Sequence, residues 1–324
     1  MATRVSVVLP IYNGAPWLQE AIDSVLGQDY ANFELLAIND GSTDNSGALL
    51  DTFDDPRLRV IHQANRGLAL TLRRGVEMAS GEYIARQDQD DVSAPSRFRQ
   101  QVDWLDAHPG CGIVGAWSTI VEGSVPTARG HHHPTGNGRL QVMCLFDSYF
   151  VHSSVMFRRE SVLLAGNYPA DPARNPPEDF DLWSRLARVS SLANLPQQLL
   201  VYRELPGSIS RAKADLIASR VHTISCENIA HTVGAVAGDQ VVNDLVALVR
   251  SDYERVSEKP DVRACAQLLD AISVRLIQRF PTDAAEISLA CAVLQNKVVK
   301  SGHIERRLMG WMRPLTGQIR RFLR

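Results

Sequence analysis

The stretch "RVSVVLPIYNGAPWLQEAIDSVLGQDYANFELLAIND", Arg4 to Asp40, decides the fold. Its start, residues 4–10, is short, β-branched and almost continuously apolar, as in a strand buried on both faces. "YNGAPW" breaks that run. Leu18, Ala21, Ile22, Val25 and Leu26 then recur at helical spacing. "FELLAIND" (33–40) is again strand-like. Strand, helix and strand with short connections imply parallel strands and a crossover helix. The unit continues downstream. "GSTDNSGALLDTF" supplies a turn and capping residues, "RLRVIHQ" (57–63) a third strand, and "NRGLALTLRRGVEMAS" (65–80) a helix with Leu68, Leu72 and Val76 on one face. "EYIARQD" (82–88) is a fourth strand. The expected class is α/β, a Rossmann-like, mostly parallel sheet flanked by helices.

Open α/β sheets bind ligands beyond the carboxyl ends of their strands. Tyr12 and Asn13, Asp40, and the pair Asp88 and Asp90 each fall at such an end. Further on, "SRFRQQVDWLDAH" and "EDFDLWSRLARV" are helical, while "CGIVGAWSTIV" and "YFVHSSVMFRRE" read as strands. "SLANLPQQLLVYRE" reads as an edge strand closing the region. After about residue 208 helical patterns dominate to residue 300, broken at Pro260 and Pro281. The expected division is 1–205, with halves 1–95 and 96–205, followed by a helical region, 206–324.

The chain has 324 residues, 45% hydrophobic, with a formal net charge of −2. That excludes a disordered chain or a bulk nucleic-acid binder. The five cysteines are scattered without a CxxC pair, as expected of reduced thiols in a cytoplasmic protein. No secretory leader or membrane-spanning run is legible. The tail, 297–324, carries eight Lys/Arg against one Glu, with Ile304, Leu308, Trp311, Met312, Leu315, Ile319, Phe322 and Leu323 interleaved. Such a segment suits a membrane surface, on the inner face of the membrane for a peripheral enzyme, or packing against protein. The C-terminal helices also offer a surface for homo-oligomer formation.

"ARQDQDD" (85–91) sets three aspartates in four positions. Two carboxylates at i and i+2 on a turn suit a hard cation such as Mg²⁺ or Mn²⁺, or one cation and a ribose diol. An acidic surface loop is the plain alternative. "NPPEDFDLW" (175–183) is a second acidic cluster, which equally suits the start of a helix. His152, in a strand-like apolar run, is most simply a core residue. Trp183 suits either core packing or stacking on a sugar. Arg158 and Arg159 suit pairing with carboxylates or phosphate. "HHHPTGNG" (131–138) reads as a flexible loop rather than a metal site.

Taken together, "VSVVLPIYNGAPWLQEAIDSVLGQ", "FELLAINDGSTDNS", "NRGLALTLRRGVEMASGEYIARQDQDD" and "PPEDFDLWSRL" resemble the inverting family 2 glycosyltransferases of GT-A fold, over residues 4–205. The resemblance implies a nucleotide-sugar site. Pro10, Tyr12 and Asn13 would shape the base pocket and Asp40 would accept from the base. Arg66 and Arg86 would contact the nucleotide, and Asp88 the ribose. Asp90, and His152 through "H-x-S-V-M-F-R", would face a divalent metal, Mn²⁺ or Mg²⁺. Asp179 of the "ED" pair would be the general base, with Glu178 its neighbour, and Asp91 would support the turn. Gln87 departs from the family, which usually has an apolar residue there. No QxxRW motif is present, which implies transfer of one sugar rather than processive synthesis. The implied activity moves a sugar from a nucleotide diphosphate sugar, UDP-linked, to a hydroxyl of a glycan or lipid-linked acceptor in cell-surface polysaccharide or glycoconjugate synthesis. The alternatives are a non-catalytic nucleotide-sugar or membrane-surface binding protein on the same fold, or a sugar-1-phosphate nucleotidyltransferase. The single glycine in "LPIYNGAP" speaks against the last.

Overall fold

β1 (Val5–Ile11) is buried at all seven positions, and its neighbours explain why. In a computed structural model, describing residues 3–312 but not the side chains of 209, 210 and 302–312, it lies between β2 (Phe33–Asp40) and β4 (Tyr83–Arg86), parallel to both. β3 (Leu58–Gln63) extends the parallel set beyond β2. Both faces of β1 are covered by helices, so an alternating pattern would have left polar groups in the core. α1 (Ala15–Leu26) buries Leu18, Ala21, Ile22 and Val25, four of the residues that its periodicity selects. α2 (Ser46–Leu50) and α3 (Leu68–Met78) complete the crossovers. α3 packs so closely that a Cβ on Gly75 would lie 2.3 Å from Val8 Cγ1.

The second half is mixed. After the two-residue β5 (Val92–Ser93) come α4 (Arg97–Ala107), β6 (Cys111–Glu122), β7 (Val125–His131) and α5 (Asn137–Met143). β8 (Met156–Arg158), α6 (Arg159–Leu164), α7 (Glu178–Ala187) and β9 (Ser191–Glu204) follow. The strand order is β3-β2-β1-β4-β8-β6-β9-β5, with β7 on β6. β8 runs antiparallel to β4 and β6, and joins the parallel strands to the rest.

Two expectations change here. "YFVHSSVMFRRE" is not one strand: His152–Ser154 form a 3₁₀ turn, only Met156–Arg158 extend, and Arg159 opens a helix. Ser153 and Ser154 explain the turn, because their hydroxyls bond Asp91 and the Val151 carbonyl. β9 is not an edge: it pairs with β6 along its length and with β5 at Leu200 and Val201. The two-residue β5 follows the aspartate turn and was too short to show any periodicity.

The chain divides into two compact units, Met1–Arg220 and Val221–Arg324. α8 (Ile209–Ala212) and α9 (Ala214–Val233) lead into the second, which contains α10 (Gln240–Arg250), α11 (Val262–Arg279) and α12 (Ala284–Met312). Pro260 falls between helices and Pro281 opens a 3₁₀ turn ahead of α12, positions that their missing N–H and fixed φ allow. All five cysteines are buried and free. Among the described residues no helix is long and apolar enough to cross a membrane. The side chains from residue 302 on, and all of 313–324, lie outside the described residues, and with them most of the basic tail.

Candidate active site

The ends of β1, β2 and β3 are level: Ile11 lies opposite Asn39, and Asp40 opposite Gln63. Beyond β1 the chain turns at Asn13, whose φ of 54° lies in the left-handed region that asparagine tolerates. Asn13 Oδ1 accepts from the Thr43 N–H at 2.8 Å, and its own N–H donates to Ser42 Oγ at 3.0 Å. The N–H groups of Gly14 and Ala15, which a helix start leaves without partners, donate to Ser46 Oγ (2.9 Å) and Asp44 Oδ2 (3.1 Å). Thus "NDGSTDNS" fixes "YNGAP". Pro10 is buried in β1, and the Tyr12 ring is half exposed.

Asp40 is buried, and its oxygens are engaged within the protein. Oδ1 accepts from Gln63 Nε2 (2.7 Å) and the Arg66 N–H (2.8 Å), Oδ2 from the Gly67 N–H (2.8 Å). Its immediate work is to hold the 66–67 turn, where Gly67 has a φ of 84°. Arg66 thereby presents an exposed side chain at the strand ends.

The aspartate turn is the most heavily braced part of the site. Gln87, fully buried, bonds four ways. Its Nε2 donates to the carbonyls of Asp91 (2.7 Å) and Asp88 (3.2 Å), and its Oε1 accepts from Ser93 Oγ (2.7 Å) and Arg97 Nη1 (3.0 Å). An apolar residue could do none of this and would leave buried polar groups unmatched. Arg97 is equally buried and donates only to neutral oxygens, among them the Arg86 carbonyl at 2.7 Å. Burial and the Arg86 charge push its guanidinium down to about 9. Gln89, between the two aspartates, pairs reciprocally with the Tyr12 backbone at 2.8 and 3.1 Å. A Cβ on Gly14 would stand 2.5 Å from Gln89 Cδ, so glycine keeps that seat open.

Arg86 is 1% exposed and ion-paired to Asp88, while its Nε has no hydrogen-bond partner. Burial, then the Asp88 charge, pushes the Asp90 carboxyl up to about 6. Asp91 is buried and accepts from Ser153 Oγ and from the Arg203 N–H at 2.8 Å. Arg203 was not singled out from sequence. The signal was a lone arginine in the apolar run "LLVYRE". Its guanidinium stacks 4.1 Å over the Trp17 ring, donates to the Asp90 carbonyl (2.8 Å) and Gly123 carbonyl, and pairs with Glu20 at 2.6 Å.

α7 carries the second acidic cluster. Asp181 is structural: it accepts from Arg174 at 2.9 Å and Arg185 at 2.6 Å. Glu178 is 5% exposed, with Oε1 4.0 Å from His152 Nδ1, whereas Asp179 is only half buried. Burial, then the Asp179 charge, pushes Glu178 up to about 7, and burial raises Asp179 as well. His152 Nε2 lies 2.9 Å from the Tyr168 hydroxyl. Burial, then Arg86, holds the imidazole well below its ordinary value, so it is neutral. Against the larger effect of burial, Arg86 pulls the carboxyls of Asp90, Glu178 and Asp179 down together, so the charge of one guanidinium is felt by both clusters. Trp183 is fully buried among Phe150, Phe157, His152 and Tyr168, so it packs in the core and is unavailable for stacking on a sugar. Arg158 faces away, bonding the carbonyls of Cys111 and Leu105.

No group of three or more His, Cys, Asp or Glu able to hold a metal occurs among the described residues. His152 is turned to Tyr168 and Glu178 and is not joined with the aspartates in such a set. Asp88 and Asp90 offer two carboxylates on one turn, a set that suits a hard cation completed by phosphate oxygens and water.

A family model described as "Glycosyl transferase family 2" matches residues 6–164. EpsE of Bacillus subtilis, provisionally named a glycosyltransferase, is 30% identical over 230 residues, 69% of this chain and 79% of that protein. The chain belongs to glycosyltransferase family 2. An uncharacterised glycosyltransferase of Haemophilus influenzae is similar across more of this family 2 chain, at 27% identity over 271 residues, 79% of this chain and 82% of that one. Among solved structures, S. aureus TarS 1–349 in complex with UDP-GlcNAc superposes with a TM-score of 0.60 at 15% identity, covering 92% of each chain. The mannosyltransferase PcManGT of Pyrobaculum calidifontis, in complex with GDP-Man and Mn²⁺, gives 0.55 at 18% identity over 94% and 87%. These likenesses give the family 2 enzyme its fold, GT-A.

Proposed function

We propose that this glycosyltransferase is a metal-dependent, inverting enzyme. It transfers one sugar from a nucleoside diphosphate sugar, UDP-linked, to a hydroxyl of a glycan or lipid-linked acceptor. The observation that carries this is that buried Arg86 acts on two acidic clusters, in each of which one accessible carboxylate, Asp90 or Asp179, is raised. Asp90, with Asp88, would hold the divalent cation, which when bound neutralises charge on the departing diphosphate. Asp179 would take the proton of the acceptor hydroxyl. It is the half-exposed member of its pair, and a raised carboxyl is the better base near neutral pH. Glu178, facing neutral His152, would position it. Asp40 and Asn13 would build the base pocket by fixing the 66–67 and 42–44 loops, and Tyr12 and Arg66 would face the nucleotide. Thermal shift of the chain with a panel of nucleotide sugars, with and without Mn²⁺, tests the donor. A rise in Tm with UDP-sugars that requires Mn²⁺ is expected. No response to any nucleotide sugar would refute it.

Glu178 has a stability signature. Its folded value, about 7, lies above that of an unfolded glutamate, so the folded state holds the proton more tightly. Stability is therefore lost as pH rises from the unfolded value through about 7. Glu178→Gln mimics the protonated form. At pH 8 it should exceed wild type by on the order of 3 kcal/mol, and near pH 4 it should match it. Urea denaturation at both pH values checks this, and a pH-independent difference would contradict it.

Arg203→Lys keeps a charge but loses the fork that reaches Asp90, Gly123 and Glu20. The expected outcome is a loss of about 1–3 kcal/mol and a higher Mn²⁺ concentration for half-maximal binding of UDP. Calorimetry that finds Mn²⁺ dependence unchanged would separate Arg203 from the aspartate turn.

A further inference from the structure

Four aromatic rings form a row along one side of the site. Tyr202 on β9 meets His131 edge to face at 5.2 Å, His131 stacks with His133 at 5.7 Å, and His133 meets Tyr149 at 6.0 Å. All four are half buried, so each keeps an open side. The row has a defined start and finish. Tyr202 lies within the field of Asp91, Asp88 and Asp90. At the other end Asp147 acts on both His133 and Asp179. The N–H of Arg203, next to Tyr202, bonds Asp91 at 2.8 Å, and Phe150, next to Tyr149, meets Trp183 of α7 at 6.0 Å, so the rings run from the aspartate turn toward α7.

The row is braced from behind. The Trp117 indole N–H donates to the His133 carbonyl at 2.9 Å. Buried Asn194 donates to the carbonyls of Pro134 (2.9 Å) and Tyr149 (3.0 Å), tying the two loops that carry His133 and Tyr149. His131 Nδ1 is 2.9 Å from Ser118 Oγ. His132, between the two histidines of the row, points to the other side and meets Trp117 at 4.8 Å. Burial, then His131, holds His133 at about 4, and burial lowers His131, so both imidazoles are neutral. The "HHH" run is therefore held on both sides rather than loose.

Resting on the glycosyltransferase reading, we infer that the row Tyr202–His131–His133–Tyr149 is the platform on which the acceptor's pyranose ring lies. A pyranose presents an apolar C–H face and an equatorial rim of hydroxyls. Half-exposed aromatic faces match the first, and neutral ring nitrogens and phenol hydroxyls, which both donate and accept, match the second. Nothing in the row offers a positive charge, so it selects a neutral sugar over an anionic lipid headgroup or phosphate as the group beside Asp179.

The test is saturation-transfer NMR on the full chain with UDP and Mg²⁺, using the methyl pyranosides of glucose, galactose and N-acetylglucosamine as probes. At least one pyranoside should receive saturation on its ring C–H protons. His133→Ala and Tyr149→Ala should weaken that binding at least about tenfold. His133→Phe, which keeps the ring face, should retain it, as should His132→Ala on the opposite side. Calorimetry should show UDP affinity unchanged in all four variants, and that excludes misfolding as the cause. No pyranoside bound by wild type, binding that survives His133→Ala and Tyr149→Ala, or equal loss in His132→Ala would overturn the platform. Failure of wild type to bind UDP with Mg²⁺ would instead overturn the donor reading, leaving pyranoside binding to be judged by itself.

Discussion

Asp179→Asn should bind nucleotide sugar and metal as wild type does, yet transfer sugar about 10²–10⁴ times more slowly, the usual contribution of a positioned base. The substitution preserves shape, and Asn can still bond an acceptor hydroxyl, but it cannot take the proton. Donor binding should survive because Asp179 stands on α7, a different element from the aspartate turn. Single-turnover transfer with calorimetry on the same preparation separates the two effects. A rate within a few-fold of wild type would remove Asp179 from the base role. Glu178, buried against His152, would then be the next candidate for the base.

Asp90→Asn should have a comparable effect on the donor side and a different signature. Asp90 is the carboxylate that burial and the Asp88 charge have pushed up to about 6. A cation held by Asp88 and Asp90 would relieve that repulsion. Removing one charge should abolish the Mn²⁺ dependence of UDP binding and lower turnover by about a thousandfold, the equivalent of ~4 kcal/mol of lost charge stabilisation. In the absence of metal the variant should be at least as stable as wild type, because one of two like charges is gone. UDP titrations at several Mn²⁺ concentrations check the first point and thermal melts in EDTA the second. Unchanged Mn²⁺ dependence would show that the cation binds elsewhere.

The first half was legible because its physics is local. β1 is apolar at nearly every position because both of its faces are covered, and α1 carries its buried residues at the spacing of one face. The turn of Asp88 and Asp90 followed from strand ends and like charges. The second half was less legible because its structure depends on distant partners. Ser153 and Ser154 make a turn of a strand-like run only because Asp91 and the Val151 carbonyl await them. β9 looked like an edge because its neighbour β5 has two residues. Gln87 and Arg203 showed in the sequence as polar residues in apolar runs. Their reason, a lattice of carbonyls around the aspartate turn, exists only after folding. The histidines of 131–133 alternate sides on a strand end, and that placed two of them in the aromatic row and one behind it.

Calorimetric titration of UDP into the wild-type chain, once with Mn²⁺ and once with EDTA, tests the central claim most directly. Saturable binding with Mn²⁺ that disappears in EDTA is the predicted result. Equal binding in both, or no binding in either, would contradict a metal-dependent nucleotide-sugar site at Asp88 and Asp90.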